Sequence, residues 1–225
     1  MVIPLLDAIA IKGKDITADA LHTQRKLADY IVDRRQAHYH FTVKANQPTL
    51  LGDLALHFRE RKQPDFVRVD PPDHGRIETR RIWTTSDAEF IKYLDFPHVR
   101  QACLIERETI AKKTGKRSCE IAYVITSRPR DEANAERLLA TNRGHWSIEN
   151  GCHYPIDWNY DEDRSRIRTG HGPVNVTRLR RFAIGLIKTK GAACIATAMR
   201  RLNRNTRLLL DYLALTRNAA KPTPP

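Results

Sequence analysis

The spacing of apolar residues predicts a strand–helix–strand unit in the first fifth of the chain. Residues 16–21 form a short apolar run that ends in polar side chains, which is typical of a buried strand. Apolar side chains then recur at helical spacing over residues 23–36, at Leu27, Ala28, Ile31 and Val32. Residues 38–43 alternate polar with aromatic or β-branched types, which favours a second strand. This order of elements predicts an α/β domain.

Strand patterns interrupted by proline follow, and helical patterns come after them. Strands are predicted over residues 66–69, 76–83, 102–106 and 120–125, as a β-rich part of about residues 60–127 joined to the α/β core. A helix is predicted to start over residues 132–139, and residues 146–150 are predicted to lie on another. Two basic amphipathic helices come last. The apolar stripe predicted for the first of these helices is Val176, Leu179, Phe182, Ala183, Leu186 and Ile187.

The distribution of charge adds a function class to this picture. The chain of 225 residues carries 39 Lys and Arg against 26 Asp and Glu, a net charge of +13. Residues 164–207 contain ten Arg, two Lys and no acidic residue, so nearly all of the excess lies there. A block this one-sided predicts a polyanionic partner, with nucleic acid ahead of an anionic membrane surface. The alternative is a solvated basic face without a partner.

The sequence also predicts the cellular compartment of the protein. No apolar run approaches the ~20 residues that a membrane-spanning helix needs, and the first residues do not resemble a signal peptide. We therefore expect a cytoplasmic protein, associated with the nucleoid when bound to DNA, and no membrane partner. The widely spaced cysteines Cys103, Cys119, Cys152 and Cys194 are expected to be reduced thiols, neither a disulfide framework nor a zinc site.

Two carboxylates stand out as candidates for chemistry. Asp19 ends the first predicted strand, where side chains of an α/β sheet face the ligand crevice, although such a residue also commonly caps the next helix. Glu149 would share one helix face with His145 and His153, because the three are four residues apart. That face suits a metal or phosphate site, or a hydrogen-bonded polar surface. The acidic segment 157–163 lacks the Gly and Glu of a calcium-binding loop.

Taken in order, six segments resemble bacterial insertion-sequence transposases of the DDE type, in the group of the H-repeat-associated proteins. They are ITADALHTQ (16–24), VKANQ (43–47), DHGRIE (73–78), YVITS (123–127), HWSIEN (145–150) and DWNYDED (157–163). Their order and spacing carry the resemblance, since no single segment is specific. Together they span most of the chain before the basic helices.

The resemblance implies an RNase H-like catalytic core with three carboxylates that hold two Mg²⁺ ions, for which Mn²⁺ can substitute. Hard divalent cations prefer such oxygen ligands, and a metal pair suits phosphoryl transfer. Asp19 matches the family's second aspartate and Glu149 its glutamate. The sequence leaves open whether the role of Glu149 is shared by Asp157, Glu162 or Asp163. The implied DNA contacts are Lys44, Arg143, His145, Trp146, Asn150, His153, Arg178 and Arg181.

Two departures from the family pattern shape the expected activity. The family's first aspartate lies well upstream of the Asp19 motif, and Asp7 is too close to Asp19 to replace it. After the glutamate motif this chain reads Cys-His-Tyr-Pro (152–155), where relatives usually have Leu-His-Trp. We therefore expect an N-terminally truncated core that is marginally stable alone, or completed by an N-terminal fragment or a homodimer.

The sequence thus predicts a domain organisation and three functions to compare. Residues 1–163 are expected to form the partial catalytic domain with its β-rich insertion, residues 164–217 a basic helical segment and residues 218–225 a disordered tail. The leading hypothesis is a transposase that binds double-stranded DNA at transposon ends and target sites, with weak or absent metal-dependent cleavage and strand transfer. The alternatives are a non-catalytic DNA-binding remnant and a structural protein with a basic surface.

Overall fold

A computed structural model describes residues 2–60, 62–72, 75–148, 151 and 153–216. The chain forms two compact units, residues 1–145 and 146–225. This division falls earlier than the boundary expected at residue 163, and the domain assignment itself stays a prediction. The expected disordered tail, residues 218–225, lies outside the described residues. Within the described part of the chain, no helix is long and apolar enough to cross a membrane.

The first unit is a mixed α/β structure built on one six-stranded sheet. Its strands are β1 (Asp15–Ala18), β2 (His38–Val43), β3 (Phe66–Val69), β4 (Arg76–Thr85), β5 (Gln101–Ala111) and β6 (Arg117–Thr126). The spatial order is β1-β2-β6-β5-β4-β3, with β1 and β2 parallel and the other neighbours antiparallel. The predicted β-rich part therefore continues the same sheet as the α/β core.

Five α-helices begin among the described residues of this unit. They are α1 (Val2–Asp7), α2 (Arg25–Asp29), α3 (Pro48–His57), α4 (Ala88–Tyr93) and α5 (Ala135–Ile148). A 3-10 turn (Ala20–His22) precedes α2, and a π-helical turn (Tyr30–Arg34) follows it. The helix expected over residues 23–36 is thus confirmed, with a wider final turn. The expectation of a separate helix at residues 146–150 is wrong for Trp146 to Ile148, because these residues continue α5.

The two faces of the sheet bury separate hydrophobic clusters. On one face, Tyr39 and Phe41 of β2 stack with ring centroids 4.5 Å apart and pack against α1, α2 and α3. On the other face, Leu138 and Leu139 of α5 cover Val124 and Cys103. Alternation along each strand produces this arrangement, because successive side chains point to opposite faces. Helix α5 is consequently held on the face opposite to α1–α3.

The second unit contains α6 (Gly172–Thr189), α7 (Ile195–Asn203), α8 (Thr206–Tyr212) and a π-helical turn (Pro155–Asn159). Its core is formed by Ile156 of that turn, Ile184 and Ile187 of α6, and Ile195, Ala198 and Leu202 of α7. The predicted stripe of α6 is partly wrong, because Leu179 is 65% exposed and Phe182 62%. The buried face of α6 is rotated onto Ile184, which the stripe omitted.

Candidate metal and DNA-binding site

Asp19 lies directly after β1, where its carboxylate caps the 3-10 turn. The Ala20 backbone N–H donates to Asp19 Oδ1 at 2.7 Å, and Lys44 Nζ lies 3.8 Å from the same oxygen. Both side chains are largely exposed, at 70% for Asp19 and 67% for Lys44. The capping role considered for Asp19 is therefore present, and it leaves the carboxylate accessible to solvent.

The segments that follow β1 and β2 hold one another in place. Asn46 Nδ2 donates to the Ala20 carbonyl oxygen at 2.6 Å, and Gln47 Nε2 donates to the Thr23 carbonyl oxygen at 2.9 Å. The Thr23 hydroxyl, which is buried, donates to the Thr42 carbonyl oxygen at 2.7 Å. Two motifs that are more than 20 residues apart thus meet at the carboxyl ends of adjacent parallel strands. This is the edge at which open α/β sheets bind ligands.

The chemistry of Asp19 fits a hard divalent cation. A carboxylate oxygen is the ligand type that Mg²⁺ and Mn²⁺ prefer, and Asp19 Oδ2 has no hydrogen bond to any described residue. The other predicted ligand, Glu149, lies outside the described residues, as does Asn150. The residues described at this edge therefore supply one ligand of the predicted pair, with Lys44 as its cationic neighbour.

A different group in the described chain has metal-ligand geometry. Asp29, Asp33 and His98 bring one ligand atom each to within 4.8 Å of one another. His98 Nε2 lies 3.3 Å from Asp29 Oδ1 and 3.1 Å from Asp33 Oδ2, which are also the distances of ordinary ion pairs. None of these three residues belongs to the predicted site.

Helix α5 is joined to the sheet through residues expected to contact DNA. Arg143 Nη1 lies 2.7 Å from Asp70 Oδ1, just beyond β3. His145 Nδ1 lies 3.1 Å from the hydroxyl oxygen of Thr17 on β1. Both side chains thus have partners within the first unit, and their contact with DNA stays a prediction.

The remaining candidates lie in the second unit. Trp146, His153, Arg178 and Arg181 are exposed, and the two arginines line a cavity of about 300 Å³ beside Pro173 and Val174 on α6. Glu162 accepts a hydrogen bond from the Thr177 hydroxyl and lies 3.6 Å from Arg180 Nη1. Asp157 is half-buried and Asp163 is exposed. Of the three acids left open as partners in the role of Glu149, Glu162 is therefore already engaged on α6.

A buried histidine beside this site was missed by the sequence analysis. His40 on β2 pairs in register with Thr17 of β1 and with Thr126 of β6. It is 3% exposed, and burial lowers its pKa to about 4, although nearby Asn142 and Asp15 favour the protonated form. The alternation in β2 places His40 on the polar side of the strand and gives no sign that α5 covers it.

The fold and site describe an α/β protein with an exposed carboxylate at the carboxyl end of a parallel strand. Residues 1–180 match the family model described as "Transposase DDE domain". Because this match covers most of the chain, the protein belongs to that transposase family.

Curated relatives agree with this assignment. The chain is 28% identical to "H repeat-associated putative transposase YhhI" of Escherichia coli K12 over 93% of its own length and 56% of the relative's. It is 29% identical to "Putative transposase YncI" of Escherichia coli O157:H7, over 82% of the chain and 48% of the relative. It is also 28% identical to "Putative protein YbfL" of Escherichia coli K12, over 93% of the chain and 56% of the relative. The chain thus spans about half the length of these relatives.

Proposed function

We propose that this chain acts on double-stranded DNA at the ends of an insertion sequence and at target sites. The observation that carries the proposal is the exposed Asp19 carboxylate at the carboxyl end of β1, within the region matched to the transposase family. The excess of twelve positive charges over residues 164–207 supplies the attraction to a polyanion. Arg178 and Arg181 on α6, with Lys44 near Asp19, are proposed phosphate contacts.

The catalytic part of the proposal assigns divalent-cation ligation to Asp19 and Glu149 in an RNase H-like fold. A bound Mg²⁺ or Mn²⁺ pair supplies activation of an attacking oxygen and stabilisation of the leaving oxygen in DNA cleavage and strand transfer. In the chain itself, the Ala20 N–H fixes the direction of the Asp19 carboxylate, while Lys44 places a positive charge beside it. His145, Trp146, Asn150, His153 and Arg143 are further proposed DNA contacts.

We also propose that a homodimer or a separate polypeptide contributes to this metal site. The second candidate function is a DNA-binding remnant without catalysis, which the arginine-rich residues 164–207 favour. A cytoplasmic location with nucleoid association also stays a proposal.

Binding to duplex DNA tests the non-catalytic part of the proposal. We expect the logarithm of the binding constant to fall linearly with the logarithm of salt concentration, since bound arginines release condensed counterions. The double variant Arg178→Gln, Arg181→Gln should have a less steep slope, by about 1.8 in total or ~0.9 for each phosphate contact. The matched control is Arg130→Gln, at an exposed arginine of the first unit outside the proposed contacts. An unchanged slope in the double variant would contradict the assignment of these arginines.

Nicking of plasmid DNA separates the remaining functions. Nicking that requires Mn²⁺ or Mg²⁺ and disappears in Glu149→Gln would support a DNA-cleaving enzyme. Salt-sensitive DNA binding without nicking would support a DNA-binding remnant without catalysis. No binding at low salt would overturn both functions and leave the solvated basic surface.

A further inference from the structure

Three strands of the first unit extend beyond its hydrophobic clusters. The last fully buried residue of β5 is Ile105, and six more residues, 106–111, continue the strand. They remain paired with β4 on one side and β6 on the other. These residues form a stem. Strand β3 flanks β4 as far as Thr79, which lies opposite Glu108, so residues 109–111 extend about 10 Å beyond the end of β3 at about 3.4 Å per residue. The β5–β6 turn, residues 112–116, therefore lies at the end of a projecting structure.

The charges along this stem are paired within it. Arg81 Nη1 lies 2.9 Å from Glu106 Oε1, and its Nη2 lies 3.1 Å from Glu108 Oε2. Arg107 Nη2 lies 2.8 Å from Glu78 Oε1, and its Nη1 lies 3.4 Å from Glu120 Oε2. These cross-strand pairs hold the strands in register and leave little net charge along the stem.

The end of the hairpin has a different charge pattern. Lys112, Lys113, Lys116 and Arg117 are exposed, and residues 111–117 contain no acid. The three lysines form no ion pair with any described residue, and Arg117 is 73% exposed at 3.8 Å from Glu108. The Gly115 N–H donates to the Ala111 carbonyl oxygen at 2.8 Å, and Gly115 has a φ of 65°. A hydrogen-bonded turn therefore presents four cations together.

We infer that the end of the β5–β6 hairpin, formed by Lys112, Lys113, Lys116 and Arg117, binds the phosphate backbone of duplex DNA. The inference rests on the proposed function and adds a contact surface in the first unit to the arginines of α6. A short cluster of ammonium groups suits phosphate as point charges, without the planar fork that base or carboxylate recognition uses.

The alternative for these lysines is a solvated turn, and the salt dependence of DNA binding by the full chain distinguishes the two. The test variant carries Lys112→Gln, Lys113→Gln and Lys116→Gln. We expect the slope of the logarithm of the binding constant against the logarithm of salt concentration to become less steep, by about 0.9 per lysine or ~2.7 in total. The melting temperature should stay unchanged, because the replaced side chains are exposed and outside the paired stem.

The matched control is Lys12→Gln with Lys14→Gln, in another exposed turn of the same unit. This variant should keep the wild-type slope, which excludes a general effect of net charge. Equal slopes for the hairpin variant and the wild type would overturn the hairpin inference while leaving DNA binding intact. An equal decrease per lysine in the control would overturn it as well. Absence of duplex binding by the wild type would instead contradict the proposed function.

Discussion

Acidification from pH 6.5 to about 4 is expected to lower the free energy of unfolding by about 3 kcal/mol through His40 alone. Burial lowers the pKa of His40 to about 4 in the folded chain, against 6.5 when it is exposed. Between these values the unfolded chain binds a proton that the folded chain does not. Stability attributable to His40 is therefore complete above pH 6.5 and is lost as the pH falls towards 4.

Chemical denaturation at a series of pH values measures this loss. His57 also has a pKa lowered by burial, so the comparison uses His40→Met, which removes only one titration. The difference in the free energy of unfolding between wild type and variant should change steeply between pH 6.5 and 5. Asp15 and Asp70 have lowered pKa values and lose their contribution only below pH 3.8, outside that window. An NMR titration that places the pKa of His40 near 6.5 would contradict the burial of this side chain.

The substitution Asp70→Ala is expected to destabilise the first unit by about 2 kcal/mol, because it removes a mostly buried carboxylate that bonds to charged partners. Asp70 is the common partner of Arg68, Arg80 and Arg143, at 3.0 Å from Arg68 Nε and 2.7 Å from Arg143 Nη1. Burial alone would raise the pKa of Asp70, but these hydrogen bonds and the charge of Arg80 lower it. Removing the carboxylate takes this anion from Arg68 and Arg143, which are half-exposed. Arg80, whose side chain is 14% exposed, keeps Glu78 as a partner, and the loss is most costly there because water cannot easily replace the carboxylate.

Asp95→Asn is the matched control for that substitution, because Asp95 has a φ of 42° and Asn tolerates this left-handed conformation better than Ala does. Asp95 pairs with Arg25 at 3.4 Å, but its side chain is 89% exposed. Exposed pairs contribute about 0–1 kcal/mol, so this variant should remain close to the wild type. Urea unfolding measures the stability of both variants. Equal losses of stability would contradict the prediction that the buried Asp70 carboxylate contributes more than the exposed Asp95 carboxylate.

Local patterns predict much of the first unit because its strands bury alternate residues. The alternation over residues 38–43 predicts β2 with its observed bounds, and the apolar spacing from Leu27 to Val32 predicts the helical stretch before it. The motifs containing Asp19 and Asn46 are also identified by sequence. Their mutual hydrogen bonding follows from the parallel pairing of β1 with β2.

Contacts between distant residues are what the sequence does not reveal. Asp70 and Arg143 are 73 residues apart, and nothing in the local pattern joins them. His40 occupies the polar side of its strand, yet it is buried beside Asn142 and His145 of α5. In α6, helical spacing is compatible with a buried stripe that contains Leu179 and Phe182, and equally with the observed buried face of Ile184 and Ile187. The rotation that exposes these two residues depends on packing against α7.

Binding of Mn²⁺ to the full chain in the presence of duplex DNA tests the central claim most directly. Electron paramagnetic resonance reports free and bound Mn²⁺ without requiring cleavage. We expect Asp19→Asn to lose the Mn²⁺ that is bound beyond the amount held by the DNA alone, whereas Asp33→Asn, in the Asp29–Asp33–His98 group, retains it. Unchanged binding in Asp19→Asn together with its loss in Asp33→Asn would place the metal at the other group and contradict the assignment of Asp19.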